Sequence, residues 1–292
     1  MILTILEITA PVFLLSAIGY GWARSGAHYD IPFVTRLAMN WAVPALIFST
    51  LSRAEITPAA LTQIAVATVV LYAVFAVVFA AAFRVAGLKL RTFLPPTVVN
   101  NTGNLGLPIA FFAFGDEGLA LSIVLFAIMV TMQFSIGLWY IAGPGKGWDA
   151  VRQPMVWAAM VGMAFSYFGI KPPAFLDNAI GLIGQLGIPL MLLTLGVSIS
   201  QIRVASILRA AVIACLRFVV AGALAIGVGL ALGLTGTVFA VLVLQSIMPA
   251  PVTNYLLALK YEAEPEEVAG LVVVSTALSL AFVPLALALL LR

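Results

Sequence analysis

Charge is scarce in this sequence. Lys, Arg, Asp and Glu make up 9% of its 292 residues, where a soluble domain usually carries about 25%. That excludes a chain bathed in water on all sides. A single cysteine, Cys215, excludes an internal disulfide and offers no thiolate cluster to a metal. The only histidine, His28, falls on an expected loop. There is no HExxH, no embedded pair of aspartates and no aspartate-rich prenyl-diphosphate motif, so the usual intramembrane enzymes are excluded and no cofactor is expected. The 14 Lys and Arg are spread along the chain, so the net charge of +3 marks no nucleic-acid patch. The start, MILTILEITAPVFLLSAIGYGWA, lacks a basic leader and is long enough to span, so no cleavable signal is expected.

What is abundant is apolar length: 63% of residues are hydrophobic. Ten apolar segments can be marked, at 2–23, 31–52, 59–83, 92–114, 118–141, 154–170, 174–198, 205–232, 236–259 and 266–291. The expected fold is an all-α polytopic membrane protein with ten transmembrane helices. Cations set its orientation. Odd-numbered connections hold Arg24, Arg84, Lys89, Arg91, Lys146, Arg152, Arg203, Arg209 and Lys260, whereas even ones and the C-terminus hold Arg53, Lys171 and Arg292. Positive loops stay inside, which puts the odd loops in the cytoplasm and both termini outside.

The longest polar connection, GPGKGWDAVRQ at 143–153, divides the chain into two five-segment halves, 1–142 and 154–292. The halves echo each other. Asn40 stands four residues before Pro44, and Gln185 four before Pro189; Asn104 stands four before Pro108, and Gln245 four before Pro249. Proline cannot bond the carbonyl four residues back, and a carboxamide at that residue can supply the missing donor to it or to a neighbour. Halves with an odd number of helices enter the membrane from opposite sides, which makes an inverted repeat.

The stretch NNTGNLGLPIAFFAFG at 100–115 breaks an otherwise apolar segment with three asparagines, a threonine, glycines and a proline. A polar break inside hydrocarbon is tolerated where it is buried in protein or lines a wet cavity. Broken segments at matching places in two halves point to a binding site. No Asp or Glu lies inside either broken segment.

With these residues in hand, the chain resembles the auxin efflux carrier family, including bacterial members labelled malonate or malate carriers. The likeness covers essentially the whole chain and is most specific in NNTGNLGLPIAFFAFGDEG (100–118) and LQSIMPAPVTNYLLALKYEAEPE (244–266). It implies that helices 4 and 9 are broken and cross near the midplane at Pro108 and Pro249. It further implies a scaffold of helices 1, 2, 6 and 7 against a moving unit of the other six, and substrate contact at Asn101. Plant members carry a long loop between the halves; this chain has eleven residues there, so regulation through that loop is not carried over.

The reading is a secondary transporter for a small organic anion, auxin-like or dicarboxylate, working by an elevator motion in the bacterial inner membrane. Half-helix starts favour an anion. Asn100, Asn101, Thr102 and Asn104 can add donors from the first crossover, and Gln245, Thr253 and Asn254 from the second. Arg217, embedded in the eighth segment, is a candidate charge partner, set against a structural reading in which it bonds a carbonyl. Glu7, Arg36 and Asp177 read as interfacial, and Asp116, Glu117, Glu264, Glu266 and Glu267 as caps of the next helix start. The partners expected are the organic anion and the bilayer, with a homodimer left open. Competing readings are a sodium-coupled symporter of the bile-acid-transporter type, a channel and a ligand-sensing receptor.

Overall fold

The computed structural model describes residues 2–54, 57–142, 153–202 and 206–291. Among them every regular element is helical and no strand occurs, as apolar surroundings demand of a backbone that must satisfy its own hydrogen bonds. Helix α1 spans Ile2–Arg24, α2 Ile31–Arg53 and α3 Pro58–Val85. Helix α4 is Leu90–Val98; after residues 99–101 and a π-helical turn, Thr102–Gly106, α5 runs Leu107–Met132 and is extended by Gln133–Gly137 and Leu138–Ala142. Then follow α6 (Pro154–Phe168), α7 (Ala174–Gln201), α8 (Ile207–Ala231), α9 (Gly236–Ser246), α10 (Val252–Lys260) and α11 (Pro265–Leu290). The central connection apart from Gln153, with Lys146 and Arg152 in it, lies outside the described residues, as does Arg203.

Starts follow local chemistry. Asp30 accepts from Phe33 N at the head of α2, and Thr57 from Ala60 N at the head of α3, each with proline in the first turn. Seven stretches are long and apolar enough to cross a membrane, with α6 and α9 as shorter apolar helices. One of the seven, Leu90–Ile141, has 52 residues, which as one straight helix would reach about 78 Å against a hydrocarbon core of about 30 Å. It is interrupted at 99–101 and kinked again at Gly115, whose φ of 64° and ψ of −153° suit only glycine.

The helices sort into two packed groups. Helix α1 lies along the second half of α7, and α2 packs on α6 and on the first half of α7. This contact is backbone-close: a Cβ on Gly196 would fall 1.8 Å from Ser16 O, and one on Gly19 2.1 Å from Leu193 O. Small residues make such approach feasible without a hydrophobic driving force. In the other group α8 packs on α11, α3 on α4 and α5, α9 on α5 and α8, and α10 on α11. Large apolar side chains such as Leu14, Val77, Leu182, Val219 and Leu285 point outward, a surface fit for lipid.

Polar contacts tie the helix ends. Lys89 pairs with Glu264 and Arg209 with Glu267 at 2.9 Å, while Arg91 donates to Ile141 O at 3.0 Å and Tyr261 O at 2.9 Å. Elsewhere Arg53 pairs with Asp177 at 2.8 Å. Two threonine–carboxylate bonds recur at close to the spacing of the sequence echo, whose pairs stand 145 and 141 residues apart. Thr92 donates to Glu264 at 2.8 Å and Thr237 to Glu117 at 3.0 Å, and each partner in the second half stands 145 or 147 residues after its counterpart in the first. The acidic residues were expected to cap helix starts. Glu266 and Glu267 do sit in the first turn of α11, but Glu264, at its N-cap position, makes no cap bond and turns to Lys89 and Thr92 instead. A charge-assisted bond to the ammonium, joined by the Thr92 hydroxyl, satisfies the carboxylate without a cap.

Candidate functional site

The first break is at 99–101. Val99 is extended and Asn101 has φ −78° and ψ 52°, outside the helical region. Asn101 then restarts the helix: its Oδ1 accepts from Asn104 N at 3.3 Å, and its carbonyl accepts from both Leu105 N and Gly106 N at 3.1 Å. Pro108 stands at the head of α5, seven residues past the restart at Asn101. The interruption therefore falls upstream of the proline expected to mark it. A carboxamide relieving the proline-freed carbonyl was also expected. The turn widens instead, with Leu107 N bonding Thr102 O, and the same device, Val43 N to Ala38 O, precedes Pro44.

The second break, at 247–251, does contain its proline, Pro249, together with Pro251 at the head of α10. The two breaks touch. Asn101 N donates to Pro249 O at 2.7 Å, and Gln245 Nε2 donates to Gly106 O and Ser122 Oγ, both at 2.9 Å. A side chain at Gly106 would displace the Gln245 amide, since a Cβ there would lie 1.9 Å from Gln245 Oε1. Ala250 N is taken up by Ser275 Oγ at 3.1 Å.

A cavity of about 280 Å³ opens beside this crossing. The first break contributes Asn100, Asn101, Gly103 and Asn104, and the head of α10 contributes Thr253. The opposite wall comes from the other helix group, through Thr35 and Met39 of α2 and Met191, Thr194 and Ser198 of α7. Phe126, Met129 and Phe134 make much of the remainder apolar. No charged side chain lines it among the described residues. Two helix starts, the turn at Thr102 and α10 at Val252, reach this wall, and no side chain caps α10. First-turn N–H groups have no intrahelical partner. The Asn101 Nδ2 donor is buried and also without a partner.

The other expected site residues lie elsewhere. Thr102 is fully buried with Oγ1 on Met129 Sδ at 3.7 Å. Gln245 faces Gly106, and Asn254 accepts from Gln133 Nε2 at 3.2 Å while donating to Pro95 O at 3.4 Å. Helical pitch separates Thr253 from Asn254, so only the former reaches the cavity. Asn100 borders the cavity, yet its amide bonds Gln245 O at 2.9 Å and Ser246 O at 3.2 Å and accepts from Arg217. Arg217 is fully buried on α8, donates to Thr97 O at 3.0 Å and does not line the cavity. Gln133, Thr194 and Ser198, by contrast, were not singled out as site residues in the sequence. They sit in ordinary apolar runs, and only packing brings them to the crossing. Glu7 and Arg36 are exposed on their helices, and no metal-binding cluster occurs among the described residues.

Apolar helices of membrane-crossing length, with two breaks meeting beside a polar-lipped cavity, define an integral membrane protein of the transporter class. The chain belongs to the auxin-efflux-carrier-like family described as membrane transport protein, whose model matches residues 4–152 and 146–287. It is 27% identical to an uncharacterised transporter of Methanothermobacter thermautotrophicus, over 96% of both chains. It is also 27% identical to an uncharacterised transporter of Methanocaldococcus jannaschii, over 70% of this chain and 69% of that one.

Proposed function

We propose that the protein is a secondary transporter for a small organic anion with an apolar body, bound in the cavity beside the crossing. The observation that carries this reading is the unpartnered, buried Asn101 Nδ2 beside two helix starts in a cavity that no charged side chain lines among the described residues. Helix starts with free N–H groups attract an anion and need no cation to do so. The apolar remainder of the lining favours one carboxylate on an apolar body over a dicarboxylate, whose second charge would be left unpaired in an apolar site.

The chain crosses the membrane ten times, as two inverted five-helix repeats at 1–142 and 154–292. The 52-residue stretch Leu90–Ile141 supplies two of the crossings, and α9 with α10 supplies one. The paired Thr92–Glu264 and Thr237–Glu117 bonds support the repeat, because each half presents the same kind of contact to the other. Access alternates by an elevator motion of α3–α5 and α8–α11 against α1, α2, α6 and α7. The cavity wall formed jointly by both helix groups supports this, since sliding one group would carry the site with it. The membrane is the bacterial inner membrane, with both termini outside.

The test is a thermal-shift and uptake screen of purified protein with phenylacetate, indole-3-acetate, malonate and malate. The aromatic monocarboxylates should stabilise the protein and be taken up saturably. A response confined to malonate and malate would refute the monoanion reading, and uptake that never saturates would indicate a channel. For orientation, a cysteine placed next to Lys171 should label from outside and one next to Lys146 only from the cytoplasmic side; the reverse would invert the topology.

A further inference from the structure

Arg217 is a buried cation that no carboxylate among the described residues balances. It is fully buried in the middle of α8, and none of the ion pairs among the described residues includes it. A charge so placed is costly unless something compensates it. Its bonds show what does. Nε donates to Thr97 O at 3.0 Å, in the last turn of α4. Nη2 donates to Asn100 Oδ1, and the other side of that amide donates to Gln245 O at 2.9 Å and Ser246 O at 3.2 Å, in the last turn of α9. The guanidinium thus meets the C-terminal ends of both half-helices that run into the crossing, one directly and one through Asn100. Each helix C-terminus carries roughly half a negative charge, so two of them match one cation.

In transporters with broken helices, half-helix C-termini and unwound carbonyls are where a coupling Na⁺ is held. We infer that Arg217 is a resident cation occupying that place. The crossing is then electrostatically two-sided: helix starts turned to the cavity for an anion, helix ends turned to Arg217. Binding at the crossing needs no Na⁺, and removing the guanidinium creates a vacancy that a small monovalent cation fills. Asn100 is the relay in this arrangement and Arg217 a positioning residue, not a substrate ligand. The consequence for coupling rests on the transporter reading, but the charge assignment does not.

The experiment is thermal unfolding of the purified full chain without substrate, so that its failure is separate from failure of the anion screen. Wild type, Arg217→Lys, Arg217→Gln and Arg217→Ala are compared in choline, sodium and millimolar guanidinium chloride at equal ionic strength. Wild type and Arg217→Lys should show the same melting temperature in sodium as in choline. Arg217→Ala should melt lower in choline and regain about 3 °C or more with guanidinium or sodium at roughly ten times the dissociation constant. Arg217→Lys should be more stable than Arg217→Gln, because charge and not shape is the requirement. The inference is overturned if sodium stabilises wild type over choline, or if no cation selectively restores Arg217→Ala. Should Arg217→Ala not fold, Arg217→Gln takes its place in the rescue. Should neither neutral variant fold, a lysine variant that fails as they do overturns the inference, and one that folds with no response to sodium upholds it.

Discussion

At the first break Asn101 lies beside the cavity with its amide nitrogen unpartnered, whereas beside the second Gln245 spends its amide nitrogen on Gly106 O and Ser122 Oγ, and Asn254 bonds through both its amide oxygen and nitrogen. Each break has carboxamides, a proline and a helix restart at or close to it, yet one side faces the cavity and the other braces it. A buried amide in a membrane protein is a recognition group only while one of its donors is free. The second break is also anchored through Gln245 to Gly106 O and through Ala250 N to Ser275 Oγ. Such division lets a site keep its shape while one face exchanges water for substrate.

The most damaging way to break this comparison is at its point of contact. Gly106→Ala would place a Cβ 1.9 Å from Gln245 Oε1. Overpacking and displaced amide bonds together should cost about 2–5 kcal/mol, read as a lower melting temperature. Adding Gln245→Ala should return part of it, because neighbours do not add. An unaffected Gly106→Ala would mean that the breaks do not meet there. The prolines sharpen the same contrast. Pro249→Ala should impair transport, because the break is at that residue, while Pro108→Ala should be nearly neutral. Equal losses would restore Pro108 as a determinant of the break.

Next come two asparagines expected to behave oppositely. Asn101→Ala should weaken anion binding about tenfold or more, the size of one hydrogen bond to a charged group, with a stability loss of only about 1 kcal/mol from its cap on Asn104 N. Asn254→Ala should lower stability by about 1–3 kcal/mol by orphaning Gln133, with affinity within about threefold. Titration calorimetry beside thermal unfolding separates the two, and matching profiles would erase the division of labour.

The smallest effect belongs to the rim. The Lys89 ammonium, with the Thr92 hydroxyl, holds the Glu264 carboxyl below its usual value. A carboxyl depressed in the folded state adds stability above its unfolded pKa, and that stability disappears as pH falls through the folded value. Because the pair is solvent-exposed, Glu264→Gln should cost under about 1 kcal/mol at neutral pH and nothing in acid. A difference that persists in acid would show that Glu264 acts by shape.

The sequence alone determined that this is a helical membrane protein, where its apolar stretches run, and that two of them are interrupted. Segments at 2–23 and 266–291 became Ile2–Arg24 and Pro265–Leu290, because apolar length and the backbone limits of proline and glycine act within a few residues. Tertiary structure decided what each polar group does. Asn101 and Thr253 reach the cavity, whereas Thr102, one residue from Asn101, faces Met129. Adjacent helical residues point about 100° apart, and only packing sets which direction is inward. Arg217 finds its partners 117 and 120 residues away, and Glu264 finds Lys89 175 residues away. A side chain's neighbours at such distances are fixed by where whole helices come to rest, and local sequence has no term for that.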